Sequence, residues 1–115
     1  MKKYPLVSVI IVNWNGGEVF EKCLDSLNKN NYPNWELIIV DNGSTDGTQK
    51  HAQIKNKTNL GFALANNQGY KVSSGKYLLL LNNDTLVDPD FLDILVAKIE
   101  SEKDLGVIQP KILIM

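Results

Sequence analysis

Leu37-Ile38-Ile39-Val40-Asp41-Asn42-Gly43-Ser44 decides the fold, because four apolar residues run straight into an aspartate, an amide and a glycine. Tyr77-Leu78-Leu79-Leu80-Leu81 does the same into Asn82-Asn83-Asp84-Thr85. Each run has the length and composition of a strand buried on both faces, which is the strand type of parallel sheets. Ligands of open parallel sheets sit outside the carboxyl ends of the strands. Two amide-rich, acid-bearing strand ends on one edge therefore predict a binding site. Carboxylates among amides suit a divalent metal ion and a nucleotide.

Outward from these runs the pattern alternates. Leu6 to Val12 reads as a first strand closed by Asn13, and Asn15-Gly16-Gly17 as a turn. Glu18 to Asn28 carries Val19, Phe20, Cys23, Leu24 and Leu27 at helical spacing. The second strand is Trp35 to Asp41, followed by a short helix capped by Thr45 or Asp46 and reaching about Ile54. Lys55 to Thr58 is a candidate edge strand, and Gly61 to Val72 a helix carrying Phe62, Leu64, Ala65 and Tyr70. Lys76 to Leu81 is a third strong strand. Asp88 and Pro89 suit the N-cap and first position of a helix to Glu100, with Phe91, Leu92, Leu95, Val96 and Ile99 inward. Gly106 to Gln109 and then Ile112 to Met115 read as a last strand, interrupted by Pro110. Strands separated by helices predict an α/β fold: a doubly wound, mostly parallel sheet with helices on both faces.

At 115 residues, spanning 1–115, the chain has the size of one domain. A hydrophobic content of 43% and a charged content of 22% are those of an ordinary globular protein. The net charge of −1 gives no electrostatic footprint for nucleic acid. Cys23 is the only cysteine, so a reducing compartment is expected and the thiol reads as a small buried hydrophobe. Lys2 and Lys3 before Leu6 to Val12 imitate a signal peptide, but the apolar stretch is too short and lacks a small-residue cleavage site. The apolar end, Ile112 to Met115, reads as a cut through a larger protein or a strand awaiting a neighbour, such as a second copy in a homodimer.

Asn82-Asn83-Asp84-Thr85 is the sharpest chemical signal. A strand-terminal carboxylate can bind Mg²⁺ or Mn²⁺, ions that often take one or two protein carboxylates and leave the rest to phosphate and water. The plainer reading makes Asp84 a turn residue. In the loop after Val40, Asp41 and Asn42 are candidates for a base edge or ribose, whereas Ser44, Thr45, Asp46 and Gly47 read as turn and cap residues. Gly61 and the paired amides Asn66-Asn67 could let a helix approach a ligand or could simply serve helix packing. Asn13 and Trp14 could line a base pocket, and Trp14 could equally be a core aromatic. His51, the only histidine, reads as a solvated surface residue. Neither G-x-x-x-x-G-K-[ST] nor a strand-linked G-x-G-x-x-G occurs, which argues against an NTPase or a dinucleotide dehydrogenase.

With these residues in place, the chain resembles the N-terminal half of family-2 glycosyltransferases of the GT-A fold, in particular the rhamnosyltransferase-like members that build bacterial surface polysaccharides. The resemblance rests on Val7 to Asn15, Tyr32 to Thr48, Asn59-Leu60-Gly61-Phe62-Ala63, Asn66-Asn67 and Gly75 to Pro89. It implies a nucleotide-sugar donor, a UDP- or dTDP-sugar, held by Val12, Asn13, Trp14, Asp41, Asn42, Gly61, Asn66 and Asn83. Asp84 would hold Mg or Mn with the diphosphate. Relatives often carry two aspartates where this chain has Asp41-Asn42, and Asp-x-Asp where it has Asn82-Asn83-Asp84, which implies weaker metal binding. The resemblance also implies transfer to an acceptor hydroxyl on a glycan or lipid-linked acceptor, with inversion, in the cytoplasm or at the inner membrane face. The acceptor-binding half and its carboxylate base have no counterpart before Met115, so no catalytic residue is assigned and little turnover is expected. The competing readings are a non-catalytic nucleotide-binding or self-associating module, and a sugar nucleotidyltransferase. The latter would need a basic, Gly-rich loop where this chain has Asn15-Gly16-Gly17-Glu18.

Overall fold

The computed structural model describes residues 3–110. Its chain order is β1 (Val7–Asn13), α1 (Gly17–Asn28), β2 (Trp35–Asp41), a short 3-10 helix (Thr48–His51), β3 (Ile54–Lys55), α2 (Phe62–Lys71), β4 (Tyr77–Asn82) and α3 (Phe91–Ser101). The four strands form one parallel sheet in the order β3-β2-β1-β4. Chain order thus leaves β1 in one direction and returns for β4 on its other side. That reversal makes a topological switch point between β1 and β4.

Side chains alternate across a strand, so β1 feeds two cores. Val7, Val9 and Ile11 pack with Phe20, Cys23, Leu24 and Leu27 of α1 and with Leu92 and Val96 of α3. Ile10 packs on the other face with Ile38, Val40 and Ala65 of α2. The expected α/β sheet with helices on both faces is therefore present. The cysteine is buried in the first core, as its spacing predicted.

α2 lies against β1 and β2 on a thin face of Ala65, Asn66 and Gly69. A Cβ at Gly69 would come within 2.7 Å of Ile10 Cγ2, so only glycine permits this approach. Phe62, Leu64 and Tyr70 of this helix are exposed, as is Val19 of α1, which helical spacing had placed on the apolar stripe. β4 also departs from expectation. Leu79 and Leu81 join the first core, but Leu78 and Leu80 lie exposed, because α2 covers the neighbouring strands and not this one.

Local polar contacts explain the shifted boundaries. Gln53 donates through Nε2 to Leu37 O and accepts from Ile39 N–H through Oε1, so the chain is already extended along β2 by residue 53. This limits the preceding helix to one 3-10 turn. α3 starts two residues after Pro89, because Asn31 holds the turn before it: Asn31 N donates to Pro89 O and its side chain to Asp90 Oδ1. Gly106 to Gln109 form no strand, and Val107 is 86% exposed. Ile112 to Met115, including the pairing expected of them, lie outside the described residues.

At the amino edge of the sheet, buried Ser8 donates to Glu36 Oε2 at 2.6 Å and accepts from Gly75 N–H. Ser74 N–H donates to the same carboxylate oxygen at 2.7 Å. These bonds, the Ser8 hydroxyl foremost, hold the Glu36 carboxyl below the usual carboxylate range. A depressed folded-state pKa contributes stability above the unfolded value, and that contribution is lost as pH falls through the folded value. Urea midpoints should therefore drop on acidification from about pH 4.5. Glu36→Gln should flatten that part of the profile. Gly69→Val should lower stability by about 1–3 kcal/mol by forcing α2 off Ile10, read from the same denaturation curves.

Candidate functional site

The parallel registers bring three strand ends level. Asn13 pairs with Asp41, and Val12 pairs with Asn82, so Asn83 follows one step beyond on the far side of β1. The buried Asn13 side chain joins them. Its Nδ2 lies 3.0 Å from Asp41 Oδ1 and 2.8 Å from Thr48 Oγ1, with Ser44 Oγ at 3.3 Å. Its Oδ1 accepts from Asn83 Nδ2 at 3.0 Å. Gly16 lies against this contact: a Cβ there would fall 2.6 Å from Asn13 Oδ1 and 2.8 Å from Asn83 Nδ2. Nothing in the sequence pattern singled out Gly16.

Asp41 is 1% exposed, and four donors meet its oxygens. Asn13 Nδ2 and Ser44 Oγ donate to Oδ1, and the Gly43 and Ser44 N–H groups to Oδ2. Ser44 thus caps the turn, as expected. Thr48 and Asp46 serve it too, with Asp46 Oδ1 accepting from Thr48 N–H and Oγ1–H, bonds that hold the Asp46 carboxyl low. Asp46 Oδ2 accepts from Gly17 N–H, and Asn15 Oδ1 from Thr45 N–H, stitching this loop to the one after β1.

Above this polar layer lies a shallow cleft of about 220 Å³, lined by Val12, Trp14, Asn42, Asn59, Phe62 and Asn83. Trp14 is 55% and Phe62 56% exposed, so two large rings flank three amides at its mouth. The core alternative for Trp14 is thereby removed. Of the expected site residues, Val12, Trp14, Asn42 and Asn83 meet in this one cleft. Asn13 and Asp41 lie beneath it. Gly61, at φ +87°, offers its carbonyl to Asn42 Nδ2, and Asn66 is buried within α2, donating to Phe62 O. Phe62 and Asn59 were missed as cleft residues. The thin inner face of α2, built from Ala65, Asn66 and Gly69, leaves the Phe62 ring outside the core.

Asp84 follows Asn83 in the turn after β4 and is exposed. Among the described residues no group of three or more acidic, histidine or cysteine side chains gathers around a metal position. One exposed carboxylate beside the cleft fits an ion that takes its other ligands from a diphosphate and water. Behind this loop, burial pushes the Cys23 thiol up, and Cys23 Sγ lies 3.7 Å from Asn82 O. His51 is not merely solvated: Nε2 contacts Glu21 at 2.9 Å and its ring meets Phe20 edge-on.

Strand ends and amides thus meet at one cleft, and Asp84 follows a cleft residue, Asn83, in sequence. The sequence matches the family described as Glycosyl transferase family 2 over residues 8–113. The chain belongs to that family. An uncharacterized glycosyltransferase of Haemophilus influenzae is 32% identical over 111 residues, covering 87% of this chain and 34% of that protein. The putative teichuronic acid biosynthesis glycosyltransferase TuaG of Bacillus subtilis is 34% identical over 100 residues, covering 77% of this chain and 40% of TuaG. Among solved structures, the mannosyltransferase PcManGT from Pyrobaculum calidifontis, in complex with GDP-Man and Mn²⁺, is similar with a TM-score of 0.74 and 26% identity. That match covers 82% of this chain and 32% of PcManGT. This family-2 chain thus spans about a third of the length of these relatives.

The buried Asn13 amide carries the heaviest structural load in the site. Asn13→Ala should cost about 2–3 kcal/mol, because it removes the Asn83 link and strips a donor from a buried carboxylate. Chemical denaturation measures the loss. Amide hydrogen exchange should show the 41–48 and 82–85 loops opening together.

Proposed function

We propose that this chain is the donor-binding half of a sugar transferase, taking a nucleoside diphosphate sugar with a divalent ion. The observation that carries this reading is the cleft at the carboxyl ends of β1, β2 and β4, lined by two exposed rings and three amides, with an exposed carboxylate next in sequence to Asn83. Rings with apolar faces suit a nucleobase, and stacking of that kind is worth about 1–3 kcal/mol per base. Val12, Trp14, Asn42, Gly61 and Asn83 serve the nucleoside, while Asn13, Asp41 and Asn66 hold those contacts in place from below. Asp84 holds Mg²⁺ or Mn²⁺ at the diphosphate. When bound, that ion neutralises the charge that grows on the diphosphate leaving group. GDP-Man and Mn²⁺ bound to PcManGT support this chemistry.

In the whole protein the sugar passes to a hydroxyl of a glycan or lipid-linked acceptor with inversion, in polysaccharide biosynthesis of the kind named for TuaG. The acceptor base comes from outside these residues, so the chain alone binds donor and transfers little. No helix among the described residues is long and apolar enough to cross a membrane. We place the reaction in the cytoplasm or at the inner membrane face.

Calorimetric titration of UDP, dTDP and GDP tests the reading. Mn²⁺ should tighten at least one of them by about tenfold, and Asp84→Ala should erase that gain while leaving metal-free binding unchanged. Metal-independent binding, or a gain indifferent to Asp84→Ala, would remove the ion from the site.

A further inference from the structure

A helix on a globular surface ordinarily turns its large apolar side chains to the core and its polar ones to water. The helix α2 does the reverse. It packs on the sheet through Ala65, Asn66 and Gly69, while Leu64 is 58% and Tyr70 60% exposed. With Leu60 and Lys71 these side chains line an open groove of about 330 Å³, to which Asn67 and Gln68 add only neutral amides. Val72 lies exposed at the helix end. Leu78 and Leu80 stand exposed on the same side of the sheet, since Leu79 and Leu81 join the opposite core. More than half of the exposed large apolar residues among the described ones fall between 60 and 80, and a patch of that kind marks an interaction surface.

Charge names what covers it. From Gly47 to Asn83 the sequence has five lysines, Lys50, Lys55, Lys57, Lys71 and Lys76, and no aspartate or glutamate, although the whole chain is net −1. Lys71 lines the groove and Lys57 lies three residues before Leu60. Both are exposed, and neither forms an ion pair with a described residue. The one carboxylate that β2 places on this side, Glu36, is occupied by the Ser8 hydroxyl and the Ser74 N–H. An apolar face rimmed by unpaired lysines complements an anionic lipid surface. Leucine and tyrosine side chains enter the acyl boundary while ammonium groups meet headgroup phosphates. A protein partner anchors its side chains in enclosed pockets, whereas a bilayer asks for none. We propose that the outer face of α2 docks on an anionic bilayer through Leu60, Leu64 and Tyr70, with Lys57 and Lys71. The consequence rests on the donor-binding reading: Phe62, at the start of α2, lines the donor cleft, so docking holds that cleft beside the bilayer carrying a lipid-linked acceptor.

Sedimentation of the 115-residue chain with vesicles tests this, comparing phosphatidylcholine alone with phosphatidylcholine and phosphatidylglycerol in equal parts. The anionic vesicles should retain the chain at least ~5-fold more strongly, the scale of one lysine at a charged surface. Leu64→Glu should abolish retention, and Lys71→Gln should weaken it ~5-fold. Both positions are exposed, so melting temperatures and nucleotide binding without vesicles should match those of the unsubstituted chain. Should Leu64→Glu fail to fold, Lys71→Gln alone decides. Equal retention on both vesicle types, or none, overturns the proposal. So does retention that neither substitution moves. A chain that sizes as a dimer and turns monomeric on Leu64→Glu also overturns it, because a second copy then covers the face. Nucleotide titration without vesicles succeeds or fails separately, and its failure removes only the link to the acceptor.

Discussion

One carboxamide holds the carboxyl edge of the sheet together. Asn13 sits at the end of the central strand, fully buried, with β2 and the turn after it on one side and the loop after β4 on the other. Its nitrogen reaches acceptors on Asp41, Ser44 and Thr48, and its oxygen takes the amide of Asn83. A buried amide left without partners costs about 1–3 kcal/mol, so these loops hold the side chain as firmly as it holds them. Such coupled networks respond as units. The two strand tips that a ligand would bridge therefore share one support, and neither can shift without disturbing the other.

Much of this was legible in the amino-acid order, and the reasons for success and failure differ. The β2 run could be read almost residue by residue, because four branched apolar residues ending at an aspartate admit few alternatives to a parallel strand. Asn42 and Asn83 were recognisable because polarity switched abruptly at a strand end. The partnerships beneath them were not. Nothing in the spacing of Asn13, Thr48 and Asn83 says that one amide will touch them all, since those contacts arise from strand register and not from local pattern. Apolar periodicity also misled where contact was made by small residues. On α2 Gly69 and Ala65 make the contact and Phe62 lines the cleft, while on α1 Val19 lies exposed although its spacing put it on the apolar stripe. Leu78 and Leu80 carry a buried-strand composition but face an uncovered side of the sheet.

The two aspartates after the strong strands look alike in sequence and diverge in environment. Asp41 is enclosed and surrounded by donors, including two backbone N–H groups, an arrangement that commits it to shaping a turn. Asp84 stands in the open beside the cleft. A carboxylate whose oxygens are already occupied is poorly placed to trade them for a metal, whereas an exposed one gives up only water. The same residue type is architectural in one loop and available for ligand chemistry in the other. Burial, not sequence motif, separates the two roles.

Helix packing reaches the cleft through the same logic. Because Gly69 offers no Cβ, α2 can lie close on Ile10, and its first residues then come within reach of the end of β2. That closeness lets Gly61 O and Leu60 N–H grip opposite ends of the Asn42 amide, while Gln68, farther along the helix, completes the chain through Asn56. A bulkier helix face would hold the backbone farther away and leave the amide free to rotate. Small residues on a buried helix face thereby fix the orientation of a buried asparagine at the end of β2. The orientation is set by packing of α2 on the strands, away from the strand ends themselves.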